Sequence, residues 1–142
     1  LCDIDFARFG HAKGSHKGQQ IWELLAALVG LRVWASVWTS RRCFVSVRGD
    51  NITALTAVIK LKGTSKHIRF LARELAMLFT EACFEPVSTV HLPGIANVVA
   101  DRLSRRFDPA YAATWVVPEV LAGIPETQLP TRDDSWYTTL RR

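Results

Sequence analysis

Apolar positions along the chain fall into short runs of two different periods. Residues 1–9, LCDIDFARF, put Cys2, Ile4 and Phe6 on one side and Asp3 and Asp5 on the other, an alternation that predicts a half-exposed strand. Residues 10–18, GHAKGSHKG, carry three glycines among basic and imidazole side chains and read as a loop. From Gln19 to Trp38 the spacing turns helical. Ile21, Leu24, Leu25, Leu28, Leu31, Val33 and Trp34 wrap most of the circumference, which predicts a largely buried helix. Glu23 falls inside that apolar run. CFVSVRG (Cys43 to Gly49) is β-branched and aromatic between charges and predicts a buried strand, with Asp50 and Asn51 directly after it. Two amphipathic helices follow, separated by a break at Gly63 to Ser65. NITALTAVIKLK turns Leu55, Val58, Ile59 and Leu61 inward; Lys66 to Phe84 turns Ile68, Leu71, Leu75, Leu78 and Phe79 inward. PVSTVHL (Pro86 to Leu92) predicts another strand, and Pro93–Gly94 turns the chain into a last helix, Ile95 to about Arg106, that packs its apolar residues. The remainder holds four of the six prolines and reads as an irregular tail with at most one short helix, near Pro118 to Ala122.

This order predicts one α/β domain with parallel neighbouring strands over residues 1–107 and a proline-rich tail or connection over 108–142. A chain of 142 residues has room for one domain with a real core. The net charge of +5 and a pI near 9.5 favour anionic partners, nucleic acid first, although a mildly basic protein without such a partner would look the same. Cys2, Cys43 and Cys83 are odd in number, widely spaced and without a CxxC pair, which argues for the reduced thiols of an intracellular protein, cytoplasmic or nuclear, over a zinc site or a disulfide framework. The longest apolar stretch, IWELLAALVGLRVW, is interrupted by Glu23 and Arg32 and is too short and too charged to span a bilayer, so no membrane association is expected. The chain shows no signal-peptide pattern and no starting Met, as a piece of a longer protein would.

Three acids stand where local rules leave them unexplained. Glu23 interrupts a buried helix, Asp50 ends a buried strand, and Asp101 sits in the helix launched after the next strand. Each has an ordinary reading: Glu23 as a solvated flank or ion-pair partner, Asp50 as the N-cap of the helix starting near Asn51, and Asp101 as the exposed partner of Arg105. Together they form a set of carboxylates drawn from separate elements, which repel one another unless a divalent cation neutralises them. Mg2+ has the matching preference for hard oxygen ligands. Asp50 also follows the carboxyl end of a strand, where open α/β sheets place their ligands.

WELLAAL, VRGDN and HLPGIANVVADRLSRR, in this order, resemble the ribonuclease H domain of retrotransposon reverse transcriptases. The last is the specific one, matching H-x-P-G-x-x-N-x-x-A-D-x-L-S-R from His91 to Arg105. The likeness runs from about Gln19 to Arg106, and the tail is similar to the variable connection that follows this domain in such polyproteins. The resemblance implies an RNase H-like mixed sheet flanked by helices. It implies Mg2+-dependent hydrolysis, with Mn2+ as a substitute ion, of the RNA strand of RNA–DNA hybrids by an endonuclease linked covalently to a reverse transcriptase domain. Glu23, Asp50 and Asp101 would be its catalytic acids and the ligands of a two-metal site. His91 would assist proton transfer or product release, a purely structural histidine being the alternative. Asn51, Arg102, Arg105 and Arg106 would lie along the nucleic acid, with a solvated basic face as the alternative for the arginines. Shape, phosphates and 2′-hydroxyls would identify the hybrid.

The family's domain opens with a strand bearing a further catalytic Asp, then a Gly-rich hairpin. Only 22 residues precede Glu23 here, so LCDIDFARF is assigned to the third strand. The first strands and their acid are then expected to lie outside the chain, leaving an open sheet edge beside CFVSVRG and little cleavage by these residues alone. Asp3 or Asp5 standing in for that acid is the alternative. Three rivals to the nuclease are a degenerate domain that binds nucleic acid or braces a polymerase without cutting, a DNA-acting nuclease or integrase of the same superfamily, and an unrelated basic α/β binding module.

Overall fold

A computed structural model describes residues 1–12, 16–39, 42–81 and 87–137. Among them, six α-helices accompany one two-stranded parallel sheet, a mixed α/β arrangement. Strand β1 (Ser46–Gly49) pairs with β2 (Ser88–His91), Ser46 opposite Ser88 and Gly49 opposite His91. Helices α4 (Ile52–Lys60) and α5 (Lys66–Glu81) make the crossover that a parallel pair requires. Helix α4 packs on both strands, and α2 (Gln19–Val33) lies against α4 and α5. A short α3 (Ala35–Thr39) continues from α2. The core is where these apolar stripes meet: Leu24, Leu25, Leu28 and Leu31 of α2, Val58 of α4, and Leu71 and Leu75 of α5. Each such side chain contributes about 1.5–3 kcal/mol by leaving water.

The first segment is helical, not a strand. Helix α1 (Asp3–Phe9) starts at Cys2, whose N–H is taken by the Asp5 carboxylate at 2.7 Å, and ends at Gly10 with φ 66°. Alternation over so few residues also allows a helical face, and Phe6 and Phe9 take it up by meeting Trp22 edge-on at 5.3 and 5.9 Å. The assignment of LCDIDFARF to a third strand therefore fails. Asp5, placed on the exposed side by the alternation, is fully buried.

Strand β1 is shorter than expected and only half-buried, and Phe44 just before it is 74% exposed. Helix α4 turns Leu55 and Val58 inward, but Ile59 points outward. The expected end of the second amphipathic helix, residues 82–84, and Pro86 lie outside the described residues. The last helix, α6 (Val98–Ser104), begins later than Ile95, after a 3-10 turn at Gly94–Ala96. It buries none of its residues, against the expectation of a packed helix; Val98, Val99 and Leu103 all stay exposed.

The tail carries a 3-10 turn at Glu119–Leu121, where a short helix was expected, and a second at Asp134–Tyr137. The second turn brings the chain back to α1, where Tyr137 is completely buried against Phe9. The core thus includes a residue well beyond 107. No described helix is long and apolar enough to cross a membrane.

The link between α4 and α5 runs very close to α5. A Cβ on Gly63 would stand 2.2 Å from Ile68 Cγ2 and 3.0 Å from the Arg69 backbone nitrogen. Gly63→Ala is expected to lower stability by about 1–3 kcal/mol, read from denaturant melts, because Ile68 is itself core and has little room to yield. An unchanged midpoint would show that this turn relaxes freely.

Candidate active site

Both strands of a parallel pair end on the same edge of the sheet, and here that edge carries Asp50 after β1 and His91 at the end of β2. Asn51 decides what Asp50 can do. Its side chain accepts the Ala54 N–H at 3.1 Å and caps α4, so the capping role considered for Asp50 belongs to its neighbour. The Asp50 carboxylate is left exposed at the strand end.

Two groups arrive on Asp50, one from the end of β2 and one from the segment after it. His91 donates from Nε2 to the Asp50 carbonyl oxygen at 3.2 Å, and Asn97 Nδ2 donates to Asp50 Oδ1 at 3.2 Å. The turn between them runs close to the carboxylate, since a Cβ on Gly94 would lie 4.0 Å from Asp50 Oδ2. Helix α2 brings Glu23 from the other side, with Asn51 Nδ2 donating to Glu23 Oε1 at 3.5 Å. Burial pushes the Glu23 carboxyl above its ordinary value; the Asp50 charge pushes it the same way, and bonds from Asn51 and Gln19 offset part of the rise. Glu23 and Asp50 are thus neighbours that repel.

Asp101 does not join them. Both of its oxygens are held by Arg105, Nε to Oδ2 at 2.9 Å and Nη2 to Oδ1 at 3.0 Å, one helical turn along an exposed face. Among the described residues, no three His, Cys, Asp or Glu side chains form a group able to hold a metal. Two carboxylates fit one Mg2+, which commonly takes one or two from the protein and fills its shell with water and phosphate oxygens. Of the three arginines expected along nucleic acid, Arg105 is committed to Asp101, and Arg106 gives both its bonds to Glu126 at 2.9 Å. The Arg102 guanidinium has no ion-pair or hydrogen-bond partner among the described residues.

Asn97, which bonds Asp50, carried no role of its own in the sequence reading. The motif's PG turn was the available signal that Asn97 folds back toward the strand ends. The burial and pairing of two acids were also missed: Asp5, bonded to Arg132 at 2.6 Å and to the Tyr137 hydroxyl, and Glu74, between Arg32 at 3.2 Å and Arg73 at 3.0 Å. Asp5 is therefore a member of an ion pair and does not stand in for a further metal ligand. Compared with known protein families, curated proteins and solved structures, the chain finds no significant match.

Proposed function

We propose that this chain carries the later part of an RNase H-like domain from a retroelement reverse transcriptase, whose reaction is Mg2+-dependent hydrolysis of the RNA strand of an RNA–DNA hybrid. One observation supports it above the rest. The HLPGIAN segment folds onto the DN pair, so that Asp50, Glu23, His91 and Asn97 meet at the carboxyl edge of a parallel sheet. In this reading Glu23 and Asp50 hold the cation and Asn97 orients Asp50. Asn51 orients Glu23 while capping α4. His91, exposed at the rim, is placed to pass a proton to or from solvent. Arg102 supplies positive charge for a phosphate. The bound cation would neutralise charge at the phosphate under attack.

The Asp101–Arg105 pair favours a second reading, a degenerate domain that binds nucleic acid without cutting it. The test offers labelled RNA–DNA hybrid, RNA duplex and DNA duplex with Mg2+ to these 142 residues, and to the same chain preceded by the family's first strands. The nuclease reading expects cutting of the hybrid's RNA strand by the longer chain and little by the shorter. Hybrid bound intact by both would establish the second reading, and cutting of duplex DNA would move the domain to a DNA nuclease.

A further inference from the structure

Helix α6 and the first part of the tail enclose a groove of about 410 Å3, lined by Asp101, Arg102, Arg105, Tyr111 and Trp115 among others. That volume lies within the roughly 300–1,000 Å3 common for ligand clefts. Two rings, Tyr111 and Trp115, and two guanidinium groups, Arg102 and Arg105, share its lining. Arg105 lies over the Tyr111 ring at 4.9 Å and donates to the Tyr111 hydroxyl at 2.8 Å. Behind this lining, Arg106 lies over Trp115 at 5.4 Å and over Phe107 at 5.2 Å. The Trp115 indole N–H donates to the Arg102 carbonyl oxygen at 2.6 Å, which fixes the ring while leaving the residue partly exposed. Arg105 already neutralises Asp101, the acid in the groove, and Arg102 is unpaired among the described residues, so the groove presents net positive charge. Neither the core nor the carboxylate pair uses any of these aromatic residues.

We propose that this groove binds an unpaired stretch of nucleic acid, a base stacking against Tyr111 or Trp115 and the adjoining phosphate meeting Arg102. Rigid aromatic faces beside an uncompensated cation are what sequence-tolerant single-strand sites use. The inference goes beyond the hydrolysis reading, because it requires neither the acids nor a cation. Its role would be to hold the single strand that adjoins a duplex.

The probe is a fluorescein-labelled oligouridine of about twelve nucleotides, with an oligothymidine and an abasic strand of equal length beside it. Anisotropy is expected to show salt-dependent binding of both base-bearing strands, with tryptophan emission quenched. Trp115→Ala and Tyr111→Ala should each weaken binding about tenfold. Arg102→Ala should lower the slope of log affinity against log salt by about one. Both rings lie outside the core, so melting temperatures should not move and the losses should report the groove itself. Equal affinity of the two aromatic variants and the parent, equal binding of the abasic strand, or equal competition by polyglutamate would overturn the proposal. Asp50→Asn separates the two readings. It should remove Mg2+-dependent cutting in the longer chain and leave oligouridine affinity intact. Cutting without groove binding would sink this inference alone, and groove binding without cutting would sink the other alone.

Discussion

Arg132→Ala is expected to destabilise the protein by about 3–5 kcal/mol, the usual cost of stripping one partner from a buried ion pair. Arg132 and Asp5 have side chains 5% and 0% exposed and meet at 2.6 Å. Burial pushes the Asp5 carboxyl up. The Tyr137 hydroxyl, the Cys2 N–H and the Arg132 charge outweigh it and hold Asp5 below its ordinary value near 3.8. Without Arg132 the carboxylate keeps its desolvation and loses its countercharge. The melting temperature should fall by roughly 10 °C or more. Tyr137→Phe removes one hydrogen bond to a charged group and should cost less, about 1.5–3 kcal/mol. Asp134→Ala is the control, since Asp134 pairs with Arg8 but is 80% exposed, and its loss should cost under about 1 kcal/mol.

The pH dependence gives an independent check on this pair. A depressed carboxyl contributes stability that is present above its unfolded value and is lost as pH falls through the folded one. The parent should therefore lose part of its stability below about pH 4, and Arg132→Ala should lose less of it there. A melting drop for Arg132→Ala no larger than that of Asp134→Ala would show that the tail does not close the core in solution.

That clasp marks where sequence reading stopped. Long runs with helical spacing were legible, because α2, α4 and α5 each bury a stripe wide enough to set its own period. LCDIDFARF was not, because nine residues fit either period, and the deciding facts were a capping carboxylate and an aromatic contact with Trp22. Asp5 read as surface because its partners, Arg132 and Tyr137, stand more than 120 residues away. At the candidate site, Asp50 and Glu23 were legible as acids that local rules left over. Asp101 was equally legible as either a metal ligand or a partner for Arg105, and its geometry follows the second. Spacing of four residues along a helix brings Arg105 within reach of Asp101 by itself, whereas joining Asp50 requires the helix axis to point the right way.

In the longer chain, Asp50→Asn is expected to reduce Mg2+-dependent cutting by more than roughly 100-fold, the upper range for losing a group that merely supports a ligand. Asn keeps the shape and can still accept the Asn97 N–H at Oδ1, so the local fold should survive. The charge that would hold the cation is lost. Without metal, the same substitution should raise stability. Glu23 has a folded pKa above its unfolded value near 4.5, raised first by burial and then by Asp50. Such a carboxyl binds more protons folded than unfolded. Stability therefore falls as pH rises from the unfolded value through the folded one, and the full penalty persists above it. Asp50→Asn removes the Asp50 part of that penalty, so its gain in melting temperature should be seen at pH 7 and fade below about pH 4. Added Mg2+ should raise the parent's melting temperature, because the cation offsets the same repulsion, and should leave Asp50→Asn nearly unmoved. Cleavage and melting are measured on one preparation, with and without Mg2+. A variant that cuts well would remove Asp50 from the reaction. A variant that neither cuts nor gains stability at pH 7 would show that Glu23 and Asp50 are not the repelling pair on which the cation site depends.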